Sequence, residues 1–134
     1  MWKPLGVKVN LLNAEVAVHY EDMRQGKFDV GRAGWIGDYN DAQNFLNLLE
    51  SGVPNNYGAY SNSALDDDMH KAANTLDMED REALMQDAER KALDDYAVLP
   101  IYYYVSRNLV NPKLSGWKNN IEDTHRSRWV SFSE

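Results

Sequence analysis

Val7, Val9 and Leu11 alternate with Lys8 and Asn10, a period of two that predicts a strand entered after Gly6. From about Ala14 to Gln25 the apolar spacing changes to that of a helix, through Val16, Tyr20 and Met23, and Gly26 is a suitable C-cap. Alternation returns where Phe28 and Val30 face Asp29 and Gly31, as in a half-buried strand. This order predicts a β-α-β unit, and the right-handed crossover rule places its strands in one parallel sheet. Ligands of such sheets sit beyond the carboxyl ends of the strands, where Asp38 falls.

The run from Ser51 to Ser63 is turn-rich and aromatic, without the period of either regular structure, and reads as a loop. Ser63 is a suitable cap for a helix through about Leu76. Asp77 can cap another through about Asp95, whose Leu84, Ala88 and Ala92 share a face, so both helices are expected to cover the sheet. Val98 to Val105 reads as a buried strand with Tyr102 and Tyr104 on one face and Ile101, Tyr103 and Val105 on the other. From Asn111 regular patterning is lost until Trp129-Val-Ser-Phe132 offers a short strand. Residues after about Asn108 are therefore expected to wrap around this unit or to cross to another one. No internal repeat, low-complexity tract or heptad pattern is visible.

The most informative stretch is Phe28-Asp-Val-Gly-Arg-Ala-Gly-Trp-Ile-Gly-Asp38-Tyr-Asn-Asp41. Gly31, Gly34 and Gly37 remove side-chain bulk where another molecule's backbone can approach, leaving Trp35 and Asp38 as contacts. Asn40 reads as an N-cap with Gln43 reaching back to it, which sets Asp38 near the positive end of a helix. An anion there is favoured by about 0.3–1 kcal/mol and suits a ligand ammonium group. The same residues fit a plainer reading, in which Asp38 caps the helix and Trp35 fills the core.

At 134 residues the chain fits one domain, and its 43% hydrophobic content is ordinary for a globular protein. A formal charge of −7 argues against nucleic acid as a partner, since that recognition draws on clustered Lys and Arg. Arg126 and Arg128 beside His125 read as a solvated loop. The absence of cysteine excludes disulfides and thiol nucleophiles. No apolar run approaches a membrane span, and the first residues have no signal core, so any export leader of a parent protein is expected outside this chain.

Three blocks stand out together: Phe28 to Asn40, Asn55-Asn-Tyr-Gly-Ala-Tyr-Ser61 and Val98-Leu-Pro-Ile-Tyr-Tyr-Tyr-Val-Ser106. In this order and spacing they resemble the C-terminal part of the periplasmic oligopeptide-binding proteins of ABC importers, solute-binding protein family 5. Met1-Trp-Lys, Gly6-Val-Lys-Val-Asn-Leu11 and Ala88-Glu-Arg-Lys-Ala-Leu93 are similar to that family as well. The resemblance implies an α/β fold, part of a type II periplasmic-binding-protein lobe with a mixed sheet flanked by helices. Family members are several times longer, with two hinged lobes that close on an extended peptide and deliver it to a permease in the inner membrane. The chain then looks like a fragment, in which residues 1–108 form the C-terminal half of the distal lobe and 109–134 return toward the first. It implies a periplasmic location, a peptide ligand, no enzymatic activity and no cofactor or metal.

In the family the aspartate of the Gly-Trp-x-x-Asp-Tyr block receives the peptide α-ammonium, and Asp38 matches it. The backbone near Arg32, Ala33 and Gly34 would pair with the peptide main chain as an added strand does, and Trp35 would form a pocket wall. Arg32 matches a family arginine near that aspartate, placed to neutralise cleft carboxylates or meet a ligand carboxylate; an internal pair with Asp29 or Asp38 is the alternative. Asn55 and Tyr104 match positions lining side-chain pockets. One departure is that some relatives carry a carboxylate-binding arginine where this chain has Met23-Arg24-Gln25-Gly26, which leaves length preference open.

Other readings remain. An enzyme would need a second carboxylate beside Asp38, as in glycosidases, and Asp41 on a helix start is expected to cap or face solvent. Asp66-Asp-Asp68 with His70 reads as a solvated helix face. Asp66 with His70, and Glu15 with His19, have i, i+4 spacing but too few ligands for a metal. No Ser-His-Asp order or phosphate-cradling loop is present. An interaction domain that dimerises through exposed sheet edges is a further reading. Within the family, a cell-wall peptide, a metal chelate or an oligosaccharide is an alternative cargo.

Overall fold

The computed structural model describes residues 2–120 and 122–133. Met1, which opens one of the blocks quoted above, lies outside the described residues. In chain order the elements are α1 (Val16–Arg24), α2 (Gln43–Leu46), α3 (Ser63–Asn74), α4 (Met78–Asp94), β1 (Leu114–Ser115) and β2 (Ser131–Phe132). Short 3-10 turns occupy Lys3–Leu5, Asn47–Leu49 and Ser127–Trp129.

α3 and α4 begin where a side-chain oxygen can satisfy the first free N–H groups. Asp77 accepts from the backbone of Glu79 and Asp80, as expected. For α3 the cap is Asn62 rather than Ser63, and it accepts from Ala64 and Leu65. Leu65, Met69 and Ala72 repeat at helical spacing and meet Met85, Ala88 and Ala92 of α4, with Leu46 of α2 closing one side. The two alanines leave room for the larger side chains of α3. Met85, rather than Leu84, is the buried partner on that face; Leu84 is half-buried.

Asp68 corrects one expectation. It stands three residues after Leu65, so the helix turns it toward the core, where it is buried and pairs with Lys91 of α4. Lys71 lies 3.9 Å from the same carboxylate. Asp66 accepts from the backbone of Ser51, while Asp67 and His70 face solvent.

The α/β class holds, with helices joined to a small antiparallel sheet in which Leu114 pairs with Phe132 and Ser115 with Ser131. Gly116, at φ +83°, makes the adjoining turn possible; a Cβ there would lie 1.8 Å from the Trp129 carbonyl oxygen. The strands expected near Val7, Phe28 and Val98 do not form the predicted β-α-β sheet, and among the described residues they carry no ladder. A strand, unlike a helix, cannot satisfy its own backbone, so alternation becomes a strand only beside a neighbour. Leu11, Tyr103 and Leu109 are correspondingly almost fully exposed. α3 and α4 pack on each other and on α2 instead of covering a sheet.

Candidate functional site

α1 ends at Arg24, followed by Gly26 in the left-handed region, and its one buried residue, Met23, supports the next segment. A Cβ on Gly31 would lie 3.0 Å from Met23 Cε and 3.1 Å from Phe28 Cδ2. One on Gly37 would lie 3.2 Å from Phe45 Cζ. These two glycines therefore serve internal packing, which corrects their expected role as approach points. A Cβ on Gly34 would meet only Tyr104 Cε2, at 4.0 Å, so this glycine keeps open space.

Trp35 and Asp38 converge on Asn44 of α2. The Trp35 indole N–H donates to Asn44 Oδ1 at 2.7 Å, and the Asp38 backbone N–H donates to the same oxygen at 3.2 Å. Asn44 is buried, while Trp35 at 36% exposure is no core residue. The Asp38 side chain is exposed, and among the described residues nothing donates to its carboxylate or neutralises it. The cap expected at Asn40 is absent. Asp41 Oδ1 accepts from the Gln43 N–H, and α2 is one turn long, beginning five residues after Asp38. A dipole that fades within a turn contributes little at that range. The turn is held by hydrogen bonds instead.

Those bonds reach the helical core through Arg81 of α4. Its two terminal nitrogens donate to the two Asp41 carboxylate oxygens at 2.9 Å each, and one also reaches Gln43 Oε1 at 3.1 Å. The Arg81 hydrogen bonds hold the Asp41 carboxyl below its ordinary range. Because that shift is downward, its contribution to stability is present above the unfolded value of 3.8 and is lost as pH falls through the folded value. Arg81→Met is expected to cost about 1–2 kcal/mol at neutral pH, with the difference from wild type shrinking toward acid. Urea unfolding at a series of pH values measures this; a pH-independent difference would refute the pairing.

Arg32 meets neither Asp29 nor Asp38, which corrects both expected internal pairs. Its guanidinium donates to the hydroxyls of Tyr102 at 2.9 Å and Tyr104 at 2.5 Å, and lies 5.8 Å from the Tyr104 ring centroid. The expected common face of Tyr102 and Tyr104 is present, with ring centroids 5.2 Å apart. A hydrogen bond from Tyr102, then one from Arg32, holds the Tyr104 phenol below its ordinary range. The Arg32 carbonyl contacts His19 Nε2 at 2.7 Å, and His19 stacks edge-on with Tyr20. Tyr20 leans on Tyr57, whose hydroxyl lies 3.5 Å from Asn55 Oδ1.

The structure thus joins Arg32 and Tyr104 directly, leaves Gly34 open beside them, reaches Asn55 through a relay of aromatic rings, and joins Trp35 to Asp38 through Asn44. Ala33 is exposed between the two groups. Sequence reasoning missed Asn44, Arg81 and the role of Tyr102 toward Arg32. The one signal for Asn44 is a polar residue between Ala42 and Phe45-Leu46, where burial would demand hydrogen bonds.

Two hollows on the described surface flank this turn. One of about 380 Å³ is lined by Asp41, Met78, Arg81 and Met85; one of about 100 Å³ by Gly37, Tyr39, Phe45 and Glu122. Asp38 lines neither. Among the described residues no cluster of three metal-ligating side chains occurs, and no helix is long and apolar enough to cross a membrane. Asp41, the nearest second carboxylate for an acid–base pair, is engaged by Arg81.

Residues 1–57 match the family model described as bacterial extracellular solute-binding proteins, family 5 Middle. The chain is 38% identical over 128 residues to the periplasmic oligopeptide-binding protein OppA of Escherichia coli, covering 93% of this chain and 24% of OppA. The structure of the Escherichia coli murein tripeptide binding protein MppA superposes with a TM-score of 0.88 at 36% identity, over 98% of this chain and 26% of MppA. Haemophilus influenzae OppA, solved in complex with RPPGFSPFR, gives 0.83 at 33% identity, over 93% of this chain and 25% of that one. The chain spans about a quarter of the length of these relatives. Over the stretch that it spans, the chain is similar to the bacterial extracellular solute-binding proteins of family 5.

Proposed function

We propose that this chain is part of the substrate-binding component of an ABC importer that captures peptides in the periplasm and hands them to an inner-membrane permease. Asp38 receives the α-ammonium group of the peptide, Trp35 walls the neighbouring side-chain pocket, and the backbone from Arg32 to Gly34 pairs with the peptide main chain. Tyr104 and Asn55 line further pockets, with Arg32 facing ligand or cleft carboxylates. Residues 1–108 belong to the distal lobe and 109–134 return to the first.

One observation carries this reading: the Asp38 carboxylate is exposed and unengaged among the described residues, on a turn whose backbone is tied down. An anion fixed in place and left without a partner suits a cationic group brought by a ligand, and charge-assisted bonds are stronger than neutral ones. Asp38 lines neither of the two hollows described, and a second lobe closing over the turn completes the cleft. Similarity to OppA supports an oligopeptide cargo. Similarity to the murein tripeptide-binding protein supports a cell-wall peptide as the second reading.

The test is calorimetry on the receptor that carries this chain, with matched free-amino and N-acetylated peptides. Acetylation is expected to weaken binding by about tenfold or more, since it removes the charge that Asp38 meets. Equal affinities would overturn the proposal.

A further inference from the structure

We propose that Asn44 is a positioning residue that couples the ammonium site to the side-chain pocket, which rests on the reading of Asp38 and Trp35 just given. Asn44 Oδ1 is a single acceptor shared by the Trp35 indole N–H at 2.7 Å and the Asp38 backbone N–H at 3.2 Å. Both contacts are donors, so the oxygen, not the amide nitrogen, must occupy this place. An sp² oxygen has two lone pairs, and here one serves the pocket wall while the other serves the main chain that carries the anchor. Asn44 itself is buried and held by α2, whose start is clamped to α4 through Asp41 and Arg81.

Trp35 and Asp38 therefore cannot move independently. A rotation of the indole that withdraws its N–H frees the Asn44 oxygen and loosens the turn under Asp38. Conversely, a cargo that seats its ammonium on Asp38 fixes the indole at the pocket wall. Recognition of the cargo's amino end is thereby linked to the shape of the pocket for the neighbouring side chain.

The experiment has two arms. In the first, NMR of this chain follows the Trp35 indole N–H, assigned with Trp35→Phe, and the Asp38 amide in Asn44→Ala and Asn44→Asp. Aspartate keeps an acceptor at the same place, so both resonances should stay near wild type in Asn44→Asp and shift together in Asn44→Ala. In the second, the receptor carrying this chain is assayed for the ratio of affinities for free-amino and N-acetylated peptide. Asn44→Ala should lower that ratio by about tenfold, as loss of a shared buried acceptor predicts, and Asn44→Asp should restore most of it. Resonances that ignore Asn44→Ala would overturn the inference. So would an unchanged ratio in Asn44→Ala when Asp38→Asn abolishes the discrimination. A ratio that ignores Asp38→Asn as well would remove the function proposed for Asp38, and the coupling with it.

Discussion

Asp38→Asn is expected to weaken binding of free-amino peptides by about ten- to a hundredfold and to leave the melting temperature unchanged. The exchange is nearly isosteric and removes only charge, so a ligand ammonium loses a charge-assisted partner worth about 1.5–3 kcal/mol. Stability is spared because the Asp38 carboxylate supports no internal bond among the described residues; the turn is held by its backbone N–H on Asn44. Exposed substitutions away from packing and caps usually change stability by less than about 0.5 kcal/mol. Calorimetry paired with thermal unfolding checks both halves. An affinity loss accompanied by a large fall in melting temperature would show that the carboxylate is structural.

Leu65→Ala carries the largest expected cost in stability, about 3–5 kcal/mol. Leu65 has no exposed surface and sits at the centre of the α3–α4 core, against which Leu46 of α2 packs. Removing its methyl groups leaves a cavity that two capped helices cannot collapse around without breaking register. The loss should spread to the site, because α2 carries Asn44 and leans on this core. Leu76, at 97% exposure just after α3, is the control, and Leu76→Ala should change almost nothing. Denaturant unfolding separates the two; comparable losses would contradict the packing described here.

The helices were legible because their signals are local. Asp77 as a cap, Gly26 after α1 and the small-residue face of α4 are each read from a handful of neighbours, and the structure keeps all three. The errors also follow from locality. Asn40 was a fair cap by residue type, yet the side-chain oxygen that meets the start of α2 is that of Asp41, whose carboxylate Arg81, forty residues away, also grips. Asp68 looked solvated inside an acidic run until Lys91 of the facing helix supplied a charge. Gly31 and Gly37 looked like openings for a ligand, whereas Met23, Phe28 and Phe45 fill the space.

The sequence by itself determined the chain's family resemblance, its helices and the residue types of the proposed site. Those features depend on side chains and backbone within a turn or two of one another. Only the tertiary structure decided which of these residues act together. It took Arg32 from the aspartates and gave it to Tyr102 and Tyr104, and it placed Asn44 under both Trp35 and Asp38. Among the described residues it also left the period-two segments without ladders, because a strand's hydrogen bonds belong to its neighbours and alternation alone does not supply them.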